Sequence, residues 1–265
     1  MSSLDLYDGA YSRSSSRVYE EIRGETYGLD LGQTGWMDEQ EFRSFFPLLR
    51  LTPSSAVLEV GCGAGGCALY LAKTGASVTA IDINENGIRH ARTLTQAEHF
   101  NGKRHFQQVD AEAELPFPAA SFDAIYSNDA MCHILDRSAA LRSWRRVLKP
   151  GGRLLFTDAM ILTGPVSNAE IALRSSIGRY LFVPPGENER LITQAGLHLL
   201  EARDLTTSVE RISASWRNAR EQRREALISI EGESHFIGLQ EFLACVHLLS
   251  HQRRLSRYLY VASQS

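Results

Sequence analysis

Residues 57–66 read VLEVGCGAGG, an apolar run that ends in an acid and then four glycines within six residues. Val57, Leu58 and Val60 suit a strand buried on both faces. Gly61, Gly63, Gly65 and Gly66 let the chain leave that strand in a tight turn that no Cβ obstructs. A helix is expected next, with Cys67, Ala68, Leu69, Leu71 and Ala72 on its buried face and Gly75 at its end. The glycine turn therefore sits at a helix N-terminus, where backbone N–H groups can approach a ligand closely. Four clustered glycines weaken a fold unless special geometry or close approach needs them.

The spacing of Gly61, Gly63 and Gly66 satisfies G-x-G-x-x-G, which fits a dinucleotide fingerprint and an S-adenosylmethionine (SAM) loop equally. The next apolar run, Ser77 to Ile81, ends at Asp82, with Ile83 beside it. An acid at the end of a second strand can accept hydrogen bonds from both hydroxyls of a ribose, so it also suits either ligand. Asn84 opens a helix to about Leu94, and Asn101-Gly102 breaks the chain before a third strand, Arg104 to Val109. That strand ends at Asp110-Ala111-Glu112. A rigid turn through Leu115 to Ser121 leads to a fourth strand, Phe122 to Ser127, which opens onto Asn128 and His133. The carboxyl ends of parallel strands share one edge of a sheet, so Gly61, Asp82, Asp110 and Asn128 should converge.

Working outward, residues 1–16 are polar and serine-rich and are expected to fray. Arg17 to Arg23 suits a short helix. The glycine-rich stretch from Tyr27 to Trp36 suits a lid, with Tyr19, Tyr27 and Trp36 as its walls or as padding at the core edge. Phe42, Phe45, Phe46 and Leu49 recur at helical spacing. Downstream, a helix Ser138 to Leu148 and the turn Lys149 to Gly152 precede a strand Arg153 to Thr157 that carries Asp158. A helix is expected around Asn168 to Tyr180 and another over Glu187 to Ala195, then a strand Leu197 to Leu205. Two helical patterns follow, around Val209 to Ala219 and Leu239 to Leu249, before a last strand, Ser256 to Ser263. We divide the chain into an arm or lid (1–37), a ligand-binding core (38–205), a helical cap (206–253) and the final strand of the core (254–265).

Composition narrows the classes. Lys and Arg number 28 against 31 Asp and Glu, a net charge of −3, so no global field recruits nucleic acid or an anionic membrane. The arginines of 217–224 and 253–257 read as solvated helix faces. No apolar run approaches the ~20 residues that cross a bilayer, and no leader pattern opens the sequence. Cys62, Cys67, Cys132 and Cys245 form no C-x-x-C pair, which points to a reduced, cytoplasmic setting. The length suits one α/β domain with insertions.

The order of these segments resembles the class I SAM-dependent methyltransferases, from Arg17 to the end of the chain. The resembling stretches are VLEVGCGAGG, the acid at Asp82, VDAEAELPF around Asp110, FDAIYSNDAMCHILD, and RVLKPGGRLLFTDAM. Within that class the chain looks most like sarcosine/dimethylglycine N-methyltransferases and natural-product sugar O-methyltransferases. The resemblance implies a doubly wound, mostly parallel, seven-stranded Rossmann-like sheet whose last strand is antiparallel. It also implies SAM as cofactor and S-adenosylhomocysteine (SAH) as product. By position, Gly61 and Gly63 would face the methionine part, Asp82 the ribose with Ile83 beside it, and Asp110 with Ala111 the adenine. Asn128 would lie near the methionine end. The acceptor would be a small molecule, not nucleic acid or a membrane, and a homodimer is compatible with this class.

Methyl transfer to an already activated sulfonium methyl asks the protein mainly to align the nucleophile and exclude water. A hydroxyl acceptor needs a base, whereas an amine needs only to be neutral. His133 is the candidate base, with Asp158 orienting it or binding the acceptor's ammonium or hydroxyl. In the sugar O-methyltransferases that the chain resembles two histidines stand here, and this chain has Cys132 in place of the first, which weakens the argument for O-methylation. Trp216, His235, Phe236 and His247 would line the acceptor pocket or pack the cap. His247 and His251, one helical turn apart, lack the further ligands of a metal site, and none is expected. The reading that competes from another reaction class is an NAD-dependent oxidoreductase, and a third is a SAM-binding isomerase or regulator that does not methylate.

Overall fold

The computed structural model describes residues 9, 11, 16–97 and 103–265. The expected fraying of residues 1–16 and the break at Asn101-Gly102 fall, apart from Gly9, Tyr11 and Ser16, outside them. The seven strands are β1 (Ala56–Val60), β2 (Ser77–Asp82), β3 (Arg104–Gln108), β4 (Phe122–Ser127), β5 (Leu148–Leu162), β6 (Leu197–Asp204) and β7 (Leu255–Gln264). They form one sheet in the order β3-β2-β1-β4-β5-β7-β6. The pairs from β3 through β5 are parallel, and β7 runs antiparallel to both β5 and β6. The order reverses between β1 and β4, and that reversal opens a crevice at their carboxyl ends.

Alternate residues of a strand face opposite sides, and the central strands are largely apolar on both, although Glu59 of β1 and Ser127 of β4 are buried too. Val57, Val78, Ala80 and Tyr126 pack against α2 (Glu39–Leu49), α3 (Gly66–Ala72) and α4 (Glu85–Ala97), the last of which buries Ile88 and Ala91. Their neighbours Leu58, Ile81, Ile125 and Leu154 face α5 (Arg137–Val147) on the other side. Trp144 and Leu141 of α5 are completely buried there, each worth on the order of 2–3 kcal/mol of apolar transfer. Asp38 caps α2 by accepting the Glu41 N–H at 2.8 Å.

The arm departs from expectation. Its helix, α1 (Arg17–Tyr27), runs past Arg23 and takes in Tyr27. Beyond β5 come α6 (Asn168–Arg174), which stops short of Tyr180, and α7 (Glu187–Gln194). Three helices rather than two fill the interval before β7: α8 (Thr206–Glu221), α9 (Arg224–Glu231) and α10 (Glu233–His251), the last two separated by Gly232. Strand β5 is longer than the expected Arg153 to Thr157, because β4 pairs with it from Leu148 and β7 pairs with it out to Leu162. Ile22, Tyr27 and Trp36 of the arm join Val209, Ile212, Trp216 and Phe242 in one cluster, so arm and cap share a core. Among the described residues no helix is long and apolar enough to cross a membrane.

Candidate active site

A cavity of about 930 Å³ lies over the carboxyl ends of β1, β2 and β4. Gly61, Asp82, Ile83, Asp110, Ala111 and Asn128 all line it, so the expected convergence is met. Gly63 has a different place. Its N–H donates to Asp82 Oδ2 at 2.8 Å, and the Asn84 N–H donates to Oδ1 at 2.8 Å. Asp82 thus ties the glycine turn to β2. Burial pushes its pKa up, partly offset by the N–H groups of Asn84, Gly63 and Ile83.

The glycines divide their work. Gly61 has φ +74° and a Cβ there would collide with Ala130 across the crevice, so the turn is built for close approach. A Cβ on Gly66 would instead strike the Leu31 carbonyl of the arm. The third glycine of the fingerprint therefore makes room for the arm. A narrow glycine floor, an acid with spare acceptor capacity on one rim and the exposed Ile83 side chain beside it match the parts of SAM.

Trp36, Arg174 at the end of α6, and Ile177 and Tyr180 of the segment after it line the same cavity, with Cys132 and His133. His133 Nδ1 lies 2.9 Å from the Arg179 carbonyl oxygen, and its ring centroid is 4.6 Å from that of Tyr180. A carbonyl only accepts, so this contact puts the proton on Nδ1 and leaves Nε2 basic. Burial lowers the His133 pKa; the Arg179 carbonyl opposes that and the Arg174 charge adds to it, leaving the value below the ordinary one.

Asp158 does not orient His133. Its side chain is fully buried and accepts from Arg137 Nη1 at 2.6 Å, Asn188 Nδ2 at 2.9 Å and Met160 N at 3.0 Å. Arg137, buried beside it, takes this carboxylate as its counter-charge. The Arg179 carbonyl holds the imidazole instead. Nor does the cap supply the acceptor wall. Phe236 is fully buried, Trp216 and His235 border a separate void of about 30 Å³ with Tyr19, and His247 Nδ1 sits 3.0 Å from the Glu210 carbonyl. Tyr27 packs against Trp216 at 6.2 Å, so among the three candidate lid aromatics Trp36 alone lines the large cavity. Among the described residues no group of three His, Cys, Asp or Glu could hold a metal ion. All four cysteines are free.

The sequence reading missed a buried polar network beneath the site. Arg257, fully buried, donates to Asp129 Oδ1 at 2.7 Å, Glu41 Oε2 at 2.5 Å and Asn128 Oδ1 at 2.9 Å. Burial alone would lower its pKa, and the two carboxylates more than offset that. Asp129 also accepts the Trp36 N–H at 2.8 Å, which fastens the arm to the sheet. Arg257 and Arg220, both fully buried, correct the solvated-face reading of the arginine-rich stretches, whereas Arg253 does stay exposed. Glu59, the acid inside the opening stretch, is likewise buried, with Oε2 unpartnered, and burial followed by the Asp82 charge raises its pKa well above the ordinary value. Only the adjacency of Asp129 to Asn128 signalled any of this from sequence.

A family profile described as "Methyltransferase domain" matches residues 58–156. An O-methyltransferase of Pyrenophora dematioidea is 34% identical over 166 residues, covering 62% of this chain and 62% of that protein. The aligned part thus spans about three fifths of that relative's length. The 27-O-demethylrifamycin SV methyltransferase of Amycolatopsis mediterranei (strain S699) is 30% identical over 205 residues, 74% of each chain. Among solved structures, phosphoethanolamine N-methyltransferase 2 of Haemonchus contortus in complex with SAM superposes with a TM-score of 0.78 at 19% identity, covering 96% of this chain and 60% of that one. Sheet order, glycine turn and cavity agree with these likenesses, and the chain belongs to the SAM-dependent methyltransferases.

Proposed function

We propose that this protein transfers the methyl group of SAM to a nitrogen or oxygen of a small acceptor held in the large cavity. The observation that carries it is that Gly61, Asp82, Asp110, Asn128 and His133 all line this one cavity. Asp82 would accept from the ribose hydroxyls, Ile83 and Ala111 would flank the adenine with Asp110 at its edge, and Gly61 would give clearance to the methionine end. When bound, SAM supplies a sulfonium-activated methyl. The chain's own residues then hold the acceptor in line, shut out water with Trp36 and Tyr180, and take a proton on His133 Nε2 where the acceptor has one to lose. The buried Asp158 plays a positioning part through Arg137 rather than touching the acceptor. The four free cysteines support a reducing, cytoplasmic setting.

Melting the protein with SAH or with NAD tests this directly. At a hundredfold excess over its Kd, SAH should stabilise by about 2.7 kcal/mol while NAD does nothing. Stabilisation by NAD with indifference to SAH would reverse the assignment. A mass-spectrometric screen of amines, phenols and sugars with labelled SAM then identifies the acceptor.

A further inference from the structure

Arg174 ends α6 and lines the large cavity, yet it is only 1% exposed. Its guanidinium carbon lies over three aromatic rings, 4.8 Å from the centroid of Tyr180, 5.0 Å from Phe242 and 5.7 Å from Trp36. Nε and Nη1 have no hydrogen-bond partner. Among the described residues, the acids of this helix and of the adjoining strand ends are already committed. Glu170, one turn earlier on the same helix and the natural partner, closes the Ser167 cap and pairs with Arg254. Asp158 holds Arg137, and Asp129 holds Arg257.

Rings can balance a cation's charge in part, but they leave its N–H donors unsatisfied, and a buried guanidinium without acceptors is costly. Among the described residues the other fully buried arginines each have a carboxylate: Arg137, Arg220 and Arg257 pair with Asp158, Glu231 and Glu41. Arg174 is the exception among the described residues, and it faces the cavity. Resting on the methyltransferase reading above, we propose that the acceptor carries an oxyanion, a carboxylate or a phosphate, which binds Arg174 in the cavity beside Trp36 and Tyr180. The planar donor fork of arginine matches either group.

The test is calorimetric titration of the SAH-saturated full chain with benzoate, with inorganic phosphate and with neutral benzamide. Benzoate or phosphate should bind and benzamide should not, and whichever anion binds identifies the group. Arg174→Met should weaken that anion at least tenfold while SAH affinity changes less than twofold, and Arg174→Lys should keep part of the binding. Benzamide binding as tightly as the anion that binds, binding of neither anion, or undiminished anion binding by Arg174→Met would overturn the proposal. Should Arg174→Met fail to fold, the benzoate and benzamide comparison on the wild type and the Arg174→Lys titration still decide. Failure of SAH to bind the wild type would instead sink the methyltransferase reading, so the two failures are told apart.

Discussion

His133 meets the cavity with one ring nitrogen already committed to the Arg179 carbonyl. Burial holds its pKa below the ordinary ~6.5, so the imidazole is neutral and able to accept a proton at pH 7. His133→Ala should lower turnover at least tenfold if the acceptor surrenders a proton. The acid limb of kcat/KM, measured from about pH 5 to 8, should fall at a pH below 6.5 in the wild type and vanish in the variant. Unchanged turnover would leave positioning as the whole of catalysis. The same shift has a sign for stability. As pH drops below the unfolded histidine's value, the unfolded chain takes up the proton first. Stability therefore declines through that window and levels off once the folded pKa is passed.

At the scale of elements, Arg257 of β7 joins Glu41 of α2 and the Asn128-Asp129 corner after β4, and Asp129 in turn holds Trp36 of the arm. Removing the cation would strand two carboxylates with little access to water. Arg257→Met should cost ~3–5 kcal/mol in urea denaturation. It should also weaken SAH binding, because Asn128 and Asp129 lose their anchor at the rim of the cavity. A variant as stable as the wild type would mean that water reaches those carboxylates in solution. The helix α6 makes a related point, since its capping box takes Glu170 away from Arg174 and so releases that arginine to the cavity.

Across the whole molecule, the arm and the cap are halves of one hydrophobic cluster built on Tyr27, Trp36, Trp216 and Phe242. A chain beginning at Asp38 should expose that cluster, bind a hydrophobic dye and lose its cooperative melt. A monodisperse truncated chain with a sharp melt would show instead that the cap is closed without the arm. Strands, sheet and rim were legible in the sequence because they follow from local rules: apolar runs of strand length, glycine turns, and acids at strand ends. That is why the convergence of Gly61, Asp82, Asp110 and Asn128 follows from the strand pattern itself. Arg174, Arg257 and the true partner of Asp158 were not legible, since burial and pairing depend on residues tens to hundreds of positions apart. An arginine reads the same in sequence whether it is solvated, like Arg253, or enclosed, like Arg257. Sequence alone determined the strands and the edge where their carboxyl ends meet, through periodicity and backbone freedom, while the antiparallel last strand was implied by the family resemblance. Which charges are buried there, and which one is left facing the cavity without a partner, was decided only when packing chose who neutralises whom.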